Sequence, residues 1–207
     1  MTNVLIVEDQ QVIRRSFESY VAADGRYRLV ASLAQAEDAP ALCERREVDL
    51  ILMDIMTRSA RTGLEVTAQI KAQFPHIRVV IVTFLLDELA LEGARRAGAD
   101  SLWYKDVGQT ELMDVMERTM RGESVFPEQA PVVSVGFITS DRFTPREREV
   151  LRCLVKNQSY ARIAAELGVS VHDVKLHLKN IYQKTGCRDR VDLIFAATES
   201  KFIDKNL

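Results

Sequence analysis

Hydrophobic positions along this chain follow two different rhythms. Up to about residue 121, short aliphatic or β-branched runs (Val4–Val7, Leu29–Ser32, Leu50–Met53, Val79–Val82 and Ser101–Tyr104) alternate with longer stretches of helical period. Runs that are apolar throughout, rather than at every second residue, suit strands covered on both faces, and a helix after each strand makes neighbouring strands parallel. The pattern predicts an α/β fold, a doubly wound (βα)5 sheet of five strands and five helices. Past residue 142 strand-like alternation is absent, and helices are predicted near 145–155, 159–167, 170–185 and 190–200. Thr144-Pro145-Arg146-Glu147 sets a capping hydroxyl, a proline at the first helical position and a glutamate at the third. Gly168 suits a left-handed helix end and Ser170 caps the next helix, so only a few residues separate the two helices. That is a helix-turn-helix layout in a small all-α domain.

Residues 122–141 fit neither rhythm and hold two of the five prolines. They are the expected linker between a domain at 1–121 and a domain at 142–207. Its Val132, Val133, Val135, Phe137 and Ile138 are too apolar for a free tether, so part of it is expected to pack on one domain or to add a short helix.

Composition adds exclusions. A length of 207 residues corresponds to about 1.4 average domains, which by itself leaves one or two open. Hydrophobic residues at 47% and charged residues at 28% argue against disordered, collagenous and disulfide-scaffold classes. The longest nearly apolar stretch, Val79–Leu86, falls far short of the ~20 residues of a membrane helix. With two acids by position 9 and no basic leader, the chain is expected to be cytoplasmic, without a membrane partner. Cys43, Cys153 and Cys187 lack metal-site spacing and read as reduced, buried thiols. The net charge of −2 conceals an asymmetry: residues 1–139 hold 15 basic and 21 acidic side chains, residues 140–207 hold 13 and 9. A net of −6 joined to a net of +4 suggests an acidic module attached to one that binds nucleic acid or another anion.

In an open parallel sheet, ligands sit beyond the carboxyl ends of the strands. Those ends carry Glu8 and Asp9, Asp54, Thr83 and Lys105. Three crowded carboxylates raise one another's pKa unless a cation lies between them, and an all-oxygen set suits Mg²⁺. A carboxylate can also take up a phosphoryl group, with the metal and Lys105 offsetting the charge and the Thr83 hydroxyl bonding a phosphoryl oxygen; Asp54 is the candidate acceptor. Each acid alone is commonly just a solvated loop start. The joint pattern, an acid pair after the first strand, Asp after the third, Thr after the fourth and Lys after the fifth, resembles the receiver domain of bacterial two-component response regulators. The resemblance implies that Glu8, Asp9, Asp54 and the backbone carbonyl of Met56 bind Mg²⁺. It further implies that a sensor histidine kinase phosphorylates Asp54, and that Thr83 and Lys105 read the phosphorylated state. Three positions depart from the family: the loop after Asp54 lacks the usual proline and is longer before Gly63, Phe84 stands where a small residue is usual, and Leu102 replaces the aromatic switch residue, with Trp103 and Tyr104 following.

On the predicted helix after Ser170, advancing about 100° per residue puts Val174, Leu178 and Ile181 on one face. His172, Lys175, Leu176, Lys179 and Gln183 fall opposite, a set suited to the DNA major groove as well as to plain solvation. The runs 143–151, 163–170 and 174–184 look like the LuxR-type DNA-binding domain, and with the receiver they indicate the NarL/FixJ class. By that resemblance Lys175, Leu176 and Lys179 make the groove contacts, with His177 and Lys184 nearer the DNA backbone. Asn157, Tyr160, Arg162 and Asp173 depart from the family, and Asp173 is expected to cap the helix and shape specificity. The implied protein is a phosphorylation-controlled transcription regulator that binds double-stranded DNA as a homodimer, not an enzyme. The alternatives are the same DNA binder acting without phosphorylation and an aspartyl-phosphate phosphatase, the latter disfavoured because no acid lies two residues after Asp54.

Overall fold

The computed structural model describes residues 1–57, 59–86, 88–105, 109–156 and 158–203, with the side chains of 109 and 110 excepted, so Asn157 lies outside the described residues. The chain divides into two compact units, Met1–Phe84 with Glu88–Gln129, and Ala130–Leu207 with Leu85–Asp87.

The first unit runs β1 (Thr2–Val7), α1 (Gln11–Ala23), β2 (Tyr27–Leu33), α2 (Ala39–Arg45), β3 (Leu50–Asp54), α3 (Gly63–Gln73), β4 (Arg78–Thr83), α4 (Glu88–Arg96), β5 (Ser101–Tyr104) and α5 (Gln109–Met120). All strands pair parallel in the order β2-β1-β3-β4-β5. This is the predicted doubly wound α/β sheet. Alternate residues of each strand point to opposite faces. Val4, Ile6, Leu50, Leu52, Val80, Val82 and Trp103 pack with Phe17 and Val21 of α1 and Leu112, Val115 and Met116 of α5. Leu5, Val7, Ile51, Met53, Val79 and Ile81 are equally buried on the other face, which leaves α2, α3 and α4 to cover it. Burial on both sides is why these strands carry no polar alternation. The chain leaves β1 toward β2 on one side and returns to β3 on the other, so a crevice opens at the carboxyl ends of β1 and β3.

Beyond α5 the segment expected to be a linker is shared between the units. Residues 124–127 lie along β5: Leu102 N–H donates to the Val125 carbonyl, Val125 N–H to Ser101 Oγ, and Arg95 stacks on Phe126 and bonds the Pro127 carbonyl. Residues 132–139 instead belong to the second unit. There β6 (Ser134–Val135) and β7 (Ile138–Thr139) form a short antiparallel hairpin around Gly136 and Phe137, followed by a short 3-10 helix at Ser140–Arg142. Gly136 has φ +61°, and a Cβ on it would sit 2.2 Å from the Thr185 carbonyl oxygen, so no larger residue fits there.

The second unit continues as α6 (Pro145–Val155), α7 (Tyr160–Leu167), α8 (Val171–Thr185) and α9 (Arg190–Glu199). Val135, Phe143, Leu151, Leu154, Ile163, Val174, Leu178, Ile181 and Leu193 form its core. Thr144 and Glu147 make the expected capping box of α6, and Ser170 with Asp173 makes one for α8. Gly168 ends α7 in the left-handed region at φ +65°. The α7–α8 turn is thus three residues, and the helix-turn-helix layout stands. All three cysteines are buried and free of disulfides. Among the described residues no helix is long and apolar enough to cross a membrane.

Candidate functional site

The crevice of the first unit gathers its side chains from four strand ends. Glu8 follows β1 and is fully buried; Asp54 ends β3 and is 3% exposed; both would be costly to bury as lone charges. Lys105, just past β5, answers them. Its ammonium lies 2.5 Å from Glu8 Oε2 and 3.0 Å from Asp54 Oδ1, with only 2% of its side chain exposed. The Lys105 N–H donates to the carbonyl of Thr83, whose own side chain is buried at the end of β4, one residue past the partner of Asp54 in the β3–β4 register. Arg14 bonds the Glu8 carbonyl, and Glu8 Oε1 accepts the N–H of Gln10, so the loop after β1 is tied at both ends of Glu8.

Electrostatics in the pocket remain lopsided. Burial pushes the Asp54 carboxyl up, to about 7; Glu8 pushes the same way, while Lys105 and the backbone N–H of Met56 oppose. One ammonium therefore does not neutralise the acids. Ligand oxygens of Glu8, Asp9 and Asp54 all lie within 4.8 Å of one another, and carboxylates at that spacing form an oxygen donor set of the kind hard cations take.

The loop after Asp54 is ordered by hydroxyls. Thr57 and Ser59 bond each other, and both accept the N–H of Ala36 ahead of α2. It then closes back on β3, where Gly63 N–H donates to the Ile55 carbonyl. A Cβ on Gly63 would fall 1.9 Å from the Asp54 carbonyl oxygen, so α3 can start here only on glycine. Phe84 is half-buried and its ring centroid lies 5.2 Å from the Lys105 ammonium, a cation–π contact. Leu102 is buried inside β5, held by the hydrogen bond to Val125. In the sequence Phe84 shows only as a departure from the usual small residue, and the close approach of Gly63 to Asp54 is signalled only by a glycine directly after the capping Thr62.

In the second unit α8 buries Val174, Leu178, Ile181 and Thr185, and exposes His172, Lys175, Leu176, Lys179 and Gln183 as one stripe. A shallow groove lined by Tyr160, Lys175, Leu178, Lys179, Tyr182 and Gln183 runs along one side of that stripe. His177 lies on the half-buried flank. Asp173 bonds the Ser170 hydroxyl and N–H, and these bonds hold its carboxyl below the usual range. Lys184 is not on the stripe. Its ammonium pairs with Glu147 Oε2 at 2.7 Å and with the Arg142 carbonyl, joining the end of α8 to the start of α6. No periodicity marks a partner 37 residues away.

Residues 4–117 match the model of the response regulator receiver domain, and residues 141–197 match that of bacterial regulatory proteins of the luxR family. The response regulator protein VraR of Staphylococcus aureus (strain Mu3) is 30% identical over 205 residues, spanning 97% of this chain and 98% of VraR. Two similar solved structures share the fold. That of two RcsB dimers bound to two parallel DNAs has a TM-score of 0.63 at 17% identity, covering 95% of this chain and 98% of that one. RcsB from Salmonella enterica serovar Typhimurium, bound to a promoter in the presence of the phosphomimetic BeF3−, has a TM-score of 0.60 at 17% identity with the same coverage. The receiver match over more than half the chain, the luxR-family match behind it and a relative aligned along almost the whole length make this chain a response regulator, with a receiver domain followed by a LuxR-type DNA-binding domain.

Proposed function

We propose that this chain is a transcription regulator whose DNA affinity is raised when a sensor histidine kinase phosphorylates Asp54. The observation that carries the reading is the Lys105 ammonium, buried between Glu8 and Asp54 at the end of the sheet. Glu8, Asp9, Asp54 and the backbone carbonyl of Met56 would hold Mg²⁺, which when bound supplies positive charge against the transferred phosphoryl oxygens. Asp54 Oδ attacks the phosphorus carried by the kinase's phosphohistidine; the P–N bond breaks with its electron pair leaving on the imidazole, and Asp54 keeps the phosphoryl group. Lys105 is placed to offset its charge and the Thr83 hydroxyl to bond one of its oxygens. The chain turns over no substrate of its own in this reading, and it works in the cytoplasm.

On the DNA side, Lys175, Leu176 and Lys179 meet base edges and thymine methyls in the major groove, with His172 and Gln183 at either end of the contact and His177 on its flank. Lys184 serves through its bond to Glu147, fixing α8 on α6. Two copies bind related half-sites, as dimers of helix-turn-helix proteins do. RcsB, in the structures named above, is bound to DNA, once as dimers.

The test is incubation with acetyl phosphate and Mg²⁺, followed by mass and DNA-binding measurements on wild type and Asp54→Asn. Wild type gains one phosphoryl group and binds its operator more tightly; the variant does neither. A wild type that gains no phosphate overturns the switch. One observation favours a second reading, in which the receiver acts without phosphorylation: Leu102, fixed inside β5, offers no aromatic side chain to swing inward. Equal DNA affinity of wild type and Asp54→Asn under all conditions supports that reading.

A further inference from the structure

Tyr160 stands where the LuxR family more often has a small polar residue, and the contacts assigned to α8 leave it without a role. It is the first residue of α7, directly after the capping Ser159. Its ring is half-buried against the core of the second unit and forms one wall of the groove beside the α8 stripe. That groove encloses about 270 Å³. Leu178, 2% exposed, lies deepest in it, and Lys175, Lys179, Tyr182 and Gln183 complete the lining. What the polar groups there share is donation. Two phenol hydroxyls, two ammonium groups and a glutamine amide all offer hydrogens, and no carboxylate is among the described residues that line the groove. Burial pushes the Tyr182 hydroxyl up, and the neighbouring Tyr160 pushes the same way, so Tyr182 keeps its proton at neutral pH. Among the described residues the Tyr160 hydroxyl has no hydrogen-bond partner. A cleft of donors without an acid suits an anion. When the second helix of a helix-turn-helix enters the major groove, the first crosses the sugar–phosphate backbone. Tyr160 opens that first helix, which brings its hydroxyl to a row of phosphates.

We propose that Tyr160 donates a hydrogen bond to a DNA backbone phosphate seated at this groove, and thereby fixes the position of α8 across the major groove. The inference rests on α8 being the helix that binds DNA. Lys175 and Lys179 keep their base contacts, since a long side chain can line a groove with its stem and hold its ammonium beyond it. The Tyr160 contact differs from theirs in two ways. A phosphate oxygen is the same in every sequence, so the bond adds affinity without choosing bases. A phenol is also neutral; it displaces no counterion from the DNA and leaves the salt dependence of binding as it was, unlike a lysine on a phosphate.

The experiment uses the full chain, treated with acetyl phosphate and Mg²⁺, and two fluorescein-labelled duplexes of unrelated sequence, because a backbone contact needs no particular operator. Binding is followed by fluorescence anisotropy over a series of salt concentrations. Tyr160→Phe keeps the ring as a wall and removes only the hydroxyl. It binds both duplexes more weakly by roughly tenfold, the scale of a lost hydrogen bond to a charged group, and its salt slope equals that of wild type. Tyr160→Phe that binds like wild type overturns the contact, even where Tyr160→Ala is weak, because the ring then serves only as a wall. A loss confined to one duplex makes the hydroxyl a reader of bases, and a slope shallower by about one makes it a support for a lysine; either result overturns the phosphate contact. Wild type that binds neither duplex at low salt overturns the DNA reading and the contact together.

Discussion

A missing methyl group decides how closely α3 approaches the end of β3, where Asp54 stands. Gly63 opens the helix against the carbonyl of Asp54, and the capping box of Thr62 and Glu65 fixes where that opening falls. Gly63→Ala has to push α3 or the end of β3 outward, and overpacking of this kind costs roughly 1–3 kcal/mol. The expected result is a lower urea midpoint together with slower labelling of Asp54 by acetyl phosphate; an unchanged midpoint contradicts the contact. The neighbouring charges show why the pocket is legible at this scale and also where legibility stops. Glu8, Asp9, Asp54, Thr83 and Lys105 stand directly at strand ends, so locating the strands locates them. The bridge that Lys105 makes between two carboxylates, and its seat on Phe84, depend on side-chain directions that no spacing in the sequence encodes.

Helix α8 is held at both ends by groups from different levels of the sequence. Its first turn is capped locally, by Ser170 and Asp173, a signature readable three residues apart. Its last turn is held by Lys184 on Glu147, a carboxylate with 4% of its side chain exposed, and nothing local announces that pair. Burial alone would raise the Glu147 carboxyl, but the Lys184 ammonium and the Thr144 N–H outweigh it and hold it below its ordinary 4.5. A carboxyl with a lowered pKa in the folded state stabilises the fold above its unfolded value, and that contribution fades as pH falls through the folded one. Lys184→Met is thus expected to destabilise the second unit by about 1–3 kcal/mol at neutral pH, because it strands a buried acid while the exposed ammonium limits the loss. Urea unfolding at stepped pH checks it: the gap to wild type narrows below about pH 4, where Glu147 protonates in both proteins. The same division explains the segment after α5. Helix caps and apolar runs were readable, whereas residues 124–127 are placed by the Ser101 hydroxyl, the Asp100 carbonyl and Arg95, partners that only the fold brings near.

At the scale of the whole molecule the two units carry opposite charge, and at physiological salt each acts mainly on what lies within about 8 Å of it. Lys179→Ala is expected to weaken the specific DNA complex by about 1–3 kcal/mol while changing non-specific binding little, as befits a lost base contact; a uniform loss with a shallower salt slope reassigns Lys179 to the phosphates. Fluorescence anisotropy at several salt concentrations separates the two outcomes. Two cores in one chain are legible in the change of rhythm past residue 121; the compact units divide at 129–130, inside residues 122–141, and the position has a physical consequence. An open sheet ends in strands whose outer backbone groups can template another chain, and here those strands are β2 and β5. Residues 124–127 answer the N–H of Leu102, so a receiver cut at the end of α5 bares an apolar outer strand to its neighbours. The smallest receiver that resists strand addition at β5 extends past Pro127, and the stretch that looks like the start of a tether is the sheet's own guard rail.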